Sequence, residues 1–244
     1  MDQPADLQIP HFVNNAVNLA SPRLGAAVLS ANDEFFGAAD RMLADKKPIF
    51  IPDKFDEHGQ WMDGWETRRR RTEGHDWCVV RLGGAGSVFG VDIDTSYFTG
   101  NFPPEASLEG VFSRGDPEPD AAWRPIVSRT AIRGDSRNFI ESEDHEPVTH
   151  VRLNIFPDGG VARLRLFGIA RPDWSDLPPD EQIELSAVGN GGRVIAYADA
   201  HYGDPWVILT PGRVVNMGDG WETRRRRTPG NDWIVIELGH KGMI

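Results

Sequence analysis

Two identical decapeptides, DGWETRRRRT, occupy residues 63–72 and 219–228 of this 244-residue chain. Each holds one glutamate and four consecutive arginines. In an extended segment Glu66, Arg68 and Arg70 share one face, and Thr67, Arg69 and Arg71 the other. An apolar core accepts neither face unless its charges are paired. Two chemistries fit. One is an anion site, because the planar guanidinium matches a carboxylate in a two-pronged geometry. The other is a structural lattice of ion pairs with Glu66, Asp76 and Asp92. In the second copy the equivalent residues are Glu222, Arg224 and Arg226. Strict duplication favours the lattice, since an enzyme rarely needs one catalytic set twice. A site at the junction of the two copies would favour the anion site.

Further chemistry sits in two alternating segments. In VDID, Val91 and Ile93 point one way and Asp92 and Asp94 the other. Neighbouring carboxylates serve as acid and base, bind a metal, or neutralise arginines. Tyr97 and Asn101 follow in a loop, with donors and acceptors suited to amide-like groups. In THVRLNIF (149–156), His150, Arg152 and Asn154 lie opposite Val151, Leu153 and Ile155. PDGG (157–160) reads as a hairpin turn, because its Asp-Gly pair supplies positive φ. VARLRLFG (161–168) then returns alongside, and Arg163 and Arg165 join the polar face opposite Ala162, Leu164 and Leu166. A merely solvated face mixes Lys, Thr, Glu and Ser, so three arginines with His and Asn point to a ligand or an intersubunit contact. His75, Asp76, Asp92, Asp94 and His150 show no diagnostic metal spacing. No metal is assigned and the cofactor is unknown. Trp65, Trp77, Trp221 and Trp233 read as core anchors, and Cys78 as a buried thiol in an apolar strand.

Composition bounds the possibilities. The net charge of −11 argues against nucleic acid, which needs a broad basic face. With Cys78 alone, no intrachain disulfide forms and a reducing compartment is expected. The first twenty residues lack the basic and apolar stretches of a signal peptide, and no run approaches 18 apolar residues. A soluble cytoplasmic protein is the expectation, with no membrane partner.

The elements that position these residues read as strands. LGAAVLSA, DWCVVRLG, VFGVDID, THVRLNIF and VARLRLFG are short apolar or alternating runs bounded by Gly, Pro, Asp or Asn. One helical turn is expected after Asp33, which would cap it, with Phe36, Ala39 and Leu43 on one face. The fold class is all-β, a pair of tandem sandwiches. The offset that aligns the decapeptides also lays DWCVVRLGGAGSV on DWIVIELGHKGMI, and Asp33 and Gly37 resemble Asp199 and Gly203. Repeat 1 holds extra residues in the loop ADKKPIFIPDKFDEHGQ. The expected division is a tail over 1–17, repeat 1 over 18–169, a Pro- and acid-rich linker over 170–184, and repeat 2 over 185–244. Repeat 2 then lacks counterparts of VDIDTSYFTGNFPP and of the closing hairpin, so it is expected to be an incomplete sandwich with open edges.

The doubled DGWETRRRR with its following G-x-D-W, GVDIDTSYFTGNFPP (90–104) and THVRLNIFPDGGVARLRLFG (149–168) together resemble the allantoicase family. The resemblance runs from about Asn18 to Ile244. It implies two tandem jelly-roll sandwiches similar to galactose-binding or discoidin domains. It also implies hydrolysis of the small molecule allantoate to ureidoglycolate and urea in purine breakdown, by a homo-oligomer. Such a reaction needs a carboxylate clamp, polar partners for two ureido groups and a proton donor. Glu66, Asp92, Asp94 and His150 are the candidate catalytic residues. Arg68, Arg70, Tyr97, Asn101, Arg152, Asn154, Arg163 and Arg165 are the candidate substrate-binding residues. The alternatives are a non-catalytic discoidin-like module for a small anion or carbohydrate, or an inactive truncated enzyme.

Overall fold

A computed structural model describes residues 9–13, 16–118, 120–175, 181–212, 214 and 216–243. Parts of the expected tail (1–8, 14–15) and linker (176–180) lie outside the described residues. In chain order the strands are β1 (Val17–Asn18), β2 (Ala27–Ala31), β3 (Phe55–Asp56), β4 (Gly59–Gln60), β5 (Trp65–Glu66), β6 (Asp76–Asp94), β7 (Glu105–Val111), β8 (Arg124–Ala131), β9 (Arg137–Glu141), β10 (Val148–Phe156), β11 (Gly160–Val161), β12 (Arg163–Ala170), β13 (Arg193–Tyr197) and β14 (Ile234–Glu237). The helical segments among the described residues are short 3-10 turns, and none is long and apolar enough to cross a membrane.

DWCVVRLG and VFGVDID, expected as two strands, form the single strand β6 of 19 residues. Its first half pairs with β2 and β10. Its second half pairs with β9 and β12. Beyond these, β10 continues to β7 and β8, and β12 to β1. The sandwich therefore shares one strand between its two layers. At the glycine-rich centre of β6 (83–86) the Leu24 segment passes close by: a Cβ on Gly83 would stand 2.4 Å from the Leu24 carbonyl oxygen. Alternation fills the interior: Cys78, Val80, Val91, Ile93, Leu153, Ile155, Leu164 and Leu166 join one continuous apolar cluster.

Two local expectations are corrected. PDGG does not join a hairpin: β10 and β12 each pair with a different half of β6 and not with each other. The polar residues of the two segments therefore lie in different layers. Asp33 does not cap the following turn. That turn is a 3-10 segment at Ala39–Leu43, and the Glu34 carboxylate accepts from the Ala39 N–H. Asp33 instead accepts from the N–H groups of Phe35 and Arg68.

In the second copy β13 pairs with β14. Their inner residues Val194, Ile234 and Ile236, with Val188 and Leu209, pack on the same apolar cluster as repeat 1. Their outer residues Ile195, Tyr197 and Val235, with Trp233 just before β14, are 39–47% exposed. Of the four tryptophans read as core anchors, only Trp65 is fully buried. Trp77 and Trp221 are half-buried and Trp233 is exposed.

Candidate functional site

The arginine runs are held by carboxylates in a repeated arrangement. Arg68 Nε donates to Asp33 at 2.7 Å, and Arg70 donates to Asp76 Oδ1 through Nε and Nη2 at 3.1 and 2.5 Å. Arg69 lies 3.7 Å from Asp158, whose other oxygen accepts from the Arg70 backbone. The second copy repeats the core of this pattern: Arg224 faces Asp199 and Arg226 donates to Asp232. Trp65 and Trp221 donate their indole N–H groups to the carbonyls of Asp33 and Asp199. Asp76 is thus a lattice partner as expected, whereas Glu66 and Asp92 are not; Asp33 and Asp158 take their places.

Glu66 is released from the lattice for another contact. Its backbone exchanges hydrogen bonds with Gly37 at 3.1 Å, and β5 pairs with β11 on the other side. This close stacking requires glycine: a Cβ on Gly37 would stand 2.4 Å from the Gly64 oxygen. Strand β11 in turn holds the loop after β6, through Gly160 N–H to Asn101 O at 2.7 Å. The result is Asn101 Nδ2 donating to Glu66 Oε1 at 2.6 Å. Glu66 is half-buried. Burial pushes its pKa up, the Asn101 hydrogen bond pulls it back, and the Asp56 charge adds to the rise. Tyr97, in the same loop, sits at φ 70°, a strained region for a bulky residue. Asp135 accepts from its N–H, and the Phe50 ring stacks on it. Arg68 stands two residues from Glu66 and over the Phe35 ring.

Asp92 and Asp94 face away from the apolar cluster together with Arg163 and Arg165, their cross-strand neighbours. Asp92 is fully buried and its Oδ2 accepts from Arg137 Nε and Nη2 at 2.8 and 2.6 Å. Desolvation nevertheless outweighs this pairing and raises its pKa to about 6. Asp94 accepts from the Ser96 N–H and hydroxyl and so closes the turn after β6. Arg163, 1% exposed, donates to Asp63 and to the carbonyls of Lys46 and Asp63. It fastens the 45–63 loop to β12.

The remaining candidates occupy the other layer. Arg152 and Asn154 both donate to Glu109 Oε2 at 2.8 Å, and His75 meets Asn154 Oδ1 at 3.3 Å. His150 is buried against Thr149 through Nδ1, while Nε2 has no hydrogen-bond partner among the described residues. Burial lowers its pKa.

The structure therefore unites Glu66 with Asn101, and Asp92 with Arg165, but separates both groups from His150, Arg152 and Asn154. Arg137 and Glu109, which organise two of these clusters, were missed. Both lie on strands, β9 and β7, whose polar alternation was not recognised. Among the described residues no group of three or more His, Cys, Asp or Glu is arranged to hold a metal ion.

Fold and groups together define a duplicated β-sandwich protein with a half-buried carboxyl of raised pKa beside a carboxamide and a loosely covered arginine. A carboxyl in such surroundings is a candidate acid–base group for a small polar molecule. The allantoicase repeat matches residues 17–171 and again 183–244, and the chain belongs to the allantoicase family. It is 52% identical over 229 residues to a probable allantoicase of Pseudomonas aeruginosa strain UCBPP-PA14, covering 93% of this chain and 69% of that protein. It is 51% identical over 241 residues to probable allantoicase 1 of Burkholderia mallei, covering 98% and 72%. The crystal structure of allantoicase from Saccharomyces cerevisiae superposes with a TM-score of 0.78 at 37% identity, covering 93% of this chain and 69% of that one.

Proposed function

We propose that the chain hydrolyses allantoate to ureidoglycolate and urea, with Glu66 as the proton-transfer group. Membership of the allantoicase family carries the reading of the reaction, and the Glu66–Asn101 pair supports assigning the chemistry to that carboxyl. One carbon of allantoate bears a carboxylate and two ureido groups, and one of its C–N bonds must break. In the proposed reaction the Glu66 carboxyl, whose pKa burial raises, gives a proton to the departing ureido nitrogen. The electron pair of the other ureido nitrogen fills the site vacated on carbon as urea leaves. The Glu66 carboxylate then takes a proton from water as its oxygen bonds to that carbon, which restores the acid. Asn101 commits one N–H to Glu66 and keeps its carbonyl for a ureido N–H. Arg68 uses Nε on Asp33, and its remaining N–H groups suit the substrate carboxylate. Tyr97 borders the same loop. A cytoplasmic homo-oligomer completes the proposal, supported by the single reduced cysteine and by the exposed apolar side chains of β13 and β14.

Urea release by the purified chain from allantoate, allantoin and ureidoglycolate tests the assignment. Release from allantoate, abolished in Glu66→Gln with melting unchanged, is expected. Release from ureidoglycolate alone would overturn it.

A further inference from the structure

Among the described residues three that are not glycine take left-handed backbone conformations: Asp53 at φ 58°, Tyr97 at φ 70° and Asp135 at φ 45°. Such conformations cost free energy in an L-residue and gather where function requires a fixed geometry. Asp53 reverses an arm over 49–58, in a turn closed by the Lys54 N–H on the Ile51 carbonyl at 3.3 Å. The other two brace each other. Tyr97 donates its N–H to Asp135 Oδ1 at 2.7 Å, and the Asp135 N–H returns to the Phe98 carbonyl at 3.2 Å. Thr95 completes the joint: its N–H donates to Ser136 O at 2.9 Å and its hydroxyl to Arg133 O at 2.6 Å. The turn between β8 and β9 is thus a platform for the loop after β6. The approach is close, since a Cβ on Gly134 would strike the Phe102 ring.

This joint fixes the Tyr97 side chain. The ring is 44% exposed and stacks on Phe50, with centroids 5.9 Å apart and planes at 26°. Its hydroxyl has no hydrogen-bond partner among the described residues. Contacts on both sides tether the pair to Glu66. Beside Tyr97, the Phe98 ring lies against Gly160, the register partner of Glu66, and Asn101 binds the Glu66 carboxylate. Beside Phe50, the Ile49 N–H donates to Asp63 Oδ2 at 3.0 Å, and Asp56 in the same arm is near enough for its charge to bear on Glu66. An exposed phenol with a free hydroxyl suits a planar ureido group, whose carbonyl accepts from it.

We propose that Asp135 is a positioning residue of the Glu66 centre: by holding Tyr97 left-handed it aims the phenol at a ureido group of the substrate. The inference rests on the allantoate reading of that centre. It adds a residue from the β8–β9 turn that acts through Tyr97 and touches no substrate itself. A residue 97 released to ordinary negative φ carries its ring away from Phe50 and from the substrate.

Steady-state kinetics of the full chain with allantoate test this. Tyr97 grips ground state and transition state alike, so its misplacement raises KM and spares kcat. Asp135→Ala removes the acceptor and resists the left-handed conformation; KM should rise about tenfold, with kcat within about twofold of the parent. Asp135→Asn keeps an oxygen acceptor and tolerates positive φ, so it should retain the parental KM. Tyr97→Gly adopts φ 70° freely but has no ring. In that background Asp135→Ala should leave KM unchanged, the non-additivity of a residue that acts only through Tyr97. Far-ultraviolet dichroism confirms folding of each variant. A parental KM in Asp135→Ala, an equal rise in the Tyr97→Gly background, or a loss confined to kcat would overturn the proposal. No allantoate turnover by the parent would overturn the reading of the reaction and this proposal with it, whereas turnover with KM insensitive to Asp135 sinks this proposal alone.

Discussion

Asn101 donates a 2.6 Å hydrogen bond to the Glu66 carboxylate. Its effect opposes burial, which raises the Glu66 pKa. Removing the donor in Asn101→Ala should therefore raise that pKa further. If Glu66 must hold a proton for turnover, activity falls as pH rises through its pKa. The falling limb of kcat/KM should then move to higher pH in Asn101→Ala. Glu66→Gln should lower kcat by about 10²–10⁴. An unmoved or acid-shifted limb would show that Asn101 does not tune this carboxyl.

Arg70 and Arg69 should behave differently despite being neighbours. The Arg70 side chain is 22% exposed and its partner Asp76 only 3%. Arg70→Ala leaves a buried carboxylate with Asn32 as its remaining side-chain donor, at a cost of about 3 kcal/mol. Arg69 is 67% exposed and 3.7 Å from Asp158, so Arg69→Ala should cost under about 1 kcal/mol. Urea denaturation of both variants measures this. Equal losses would show that the lattice is not graded by burial.

Arg163→Ala should be the most damaging arginine substitution. It strands the Asp63 carboxylate and several carbonyls of the 45–63 loop, a loss of about 3–5 kcal/mol. Arg163→Lys should not restore stability, because an ammonium cannot span the same fork of acceptors. Hydrogen exchange should accelerate first between residues 45 and 63. Protection there equal to the parent's would refute the fastening role.

Asp92 makes stability depend on pH in an unusual direction. Its folded pKa of about 6 exceeds the ordinary value of 3.8. Between these values the folded state binds more protons than the unfolded state, so stability falls as pH rises. The contribution is complete below about pH 4, diminishes up to about 6 and is flat above. The stability of the parent relative to Asp92→Asn should decline over that window in melting experiments. A rise over the same range would mean that the Arg137 pairing outweighs desolvation.

Period-two alternation was enough to place Val91 and Ile93 inward and Asp92 and Asp94 on the opposite face. It was not enough to show that this opposite face is buried too. Its cover comes from the 45–47 segment and from Arg137, contacts that no local pattern encodes. Arg137 escaped notice for a related reason: RNFIE carries only one short apolar pair, and its pairing with β6 is long-range. The Asp-Gly turn misled because hairpin chemistry was present while the strand between β10 and β12 was already placed earlier in the chain. Glu66 and Asn101 were both legible as polar groups outside apolar strands. Their meeting depended on Gly37 and Gly64, whose missing side chains let backbones pass one another, and on Gly160, where a Cβ would strike the Phe98 ring.

Strand β6 belongs to both layers of the first sandwich, and this governs how the molecule opens. In a sandwich of separate sheets, one layer can fray while the other stays closed. Here any excursion that releases Val80 or Leu82 loosens the same backbone that holds Val91 and Ile93. Amide protons in both layers should therefore exchange through a single large unfolding event, rather than through independent local ones. The groups on either side, Glu66 with Asn101 and Asp92 with Arg165, are then anchored to one cooperative unit, so neither can relax without the other.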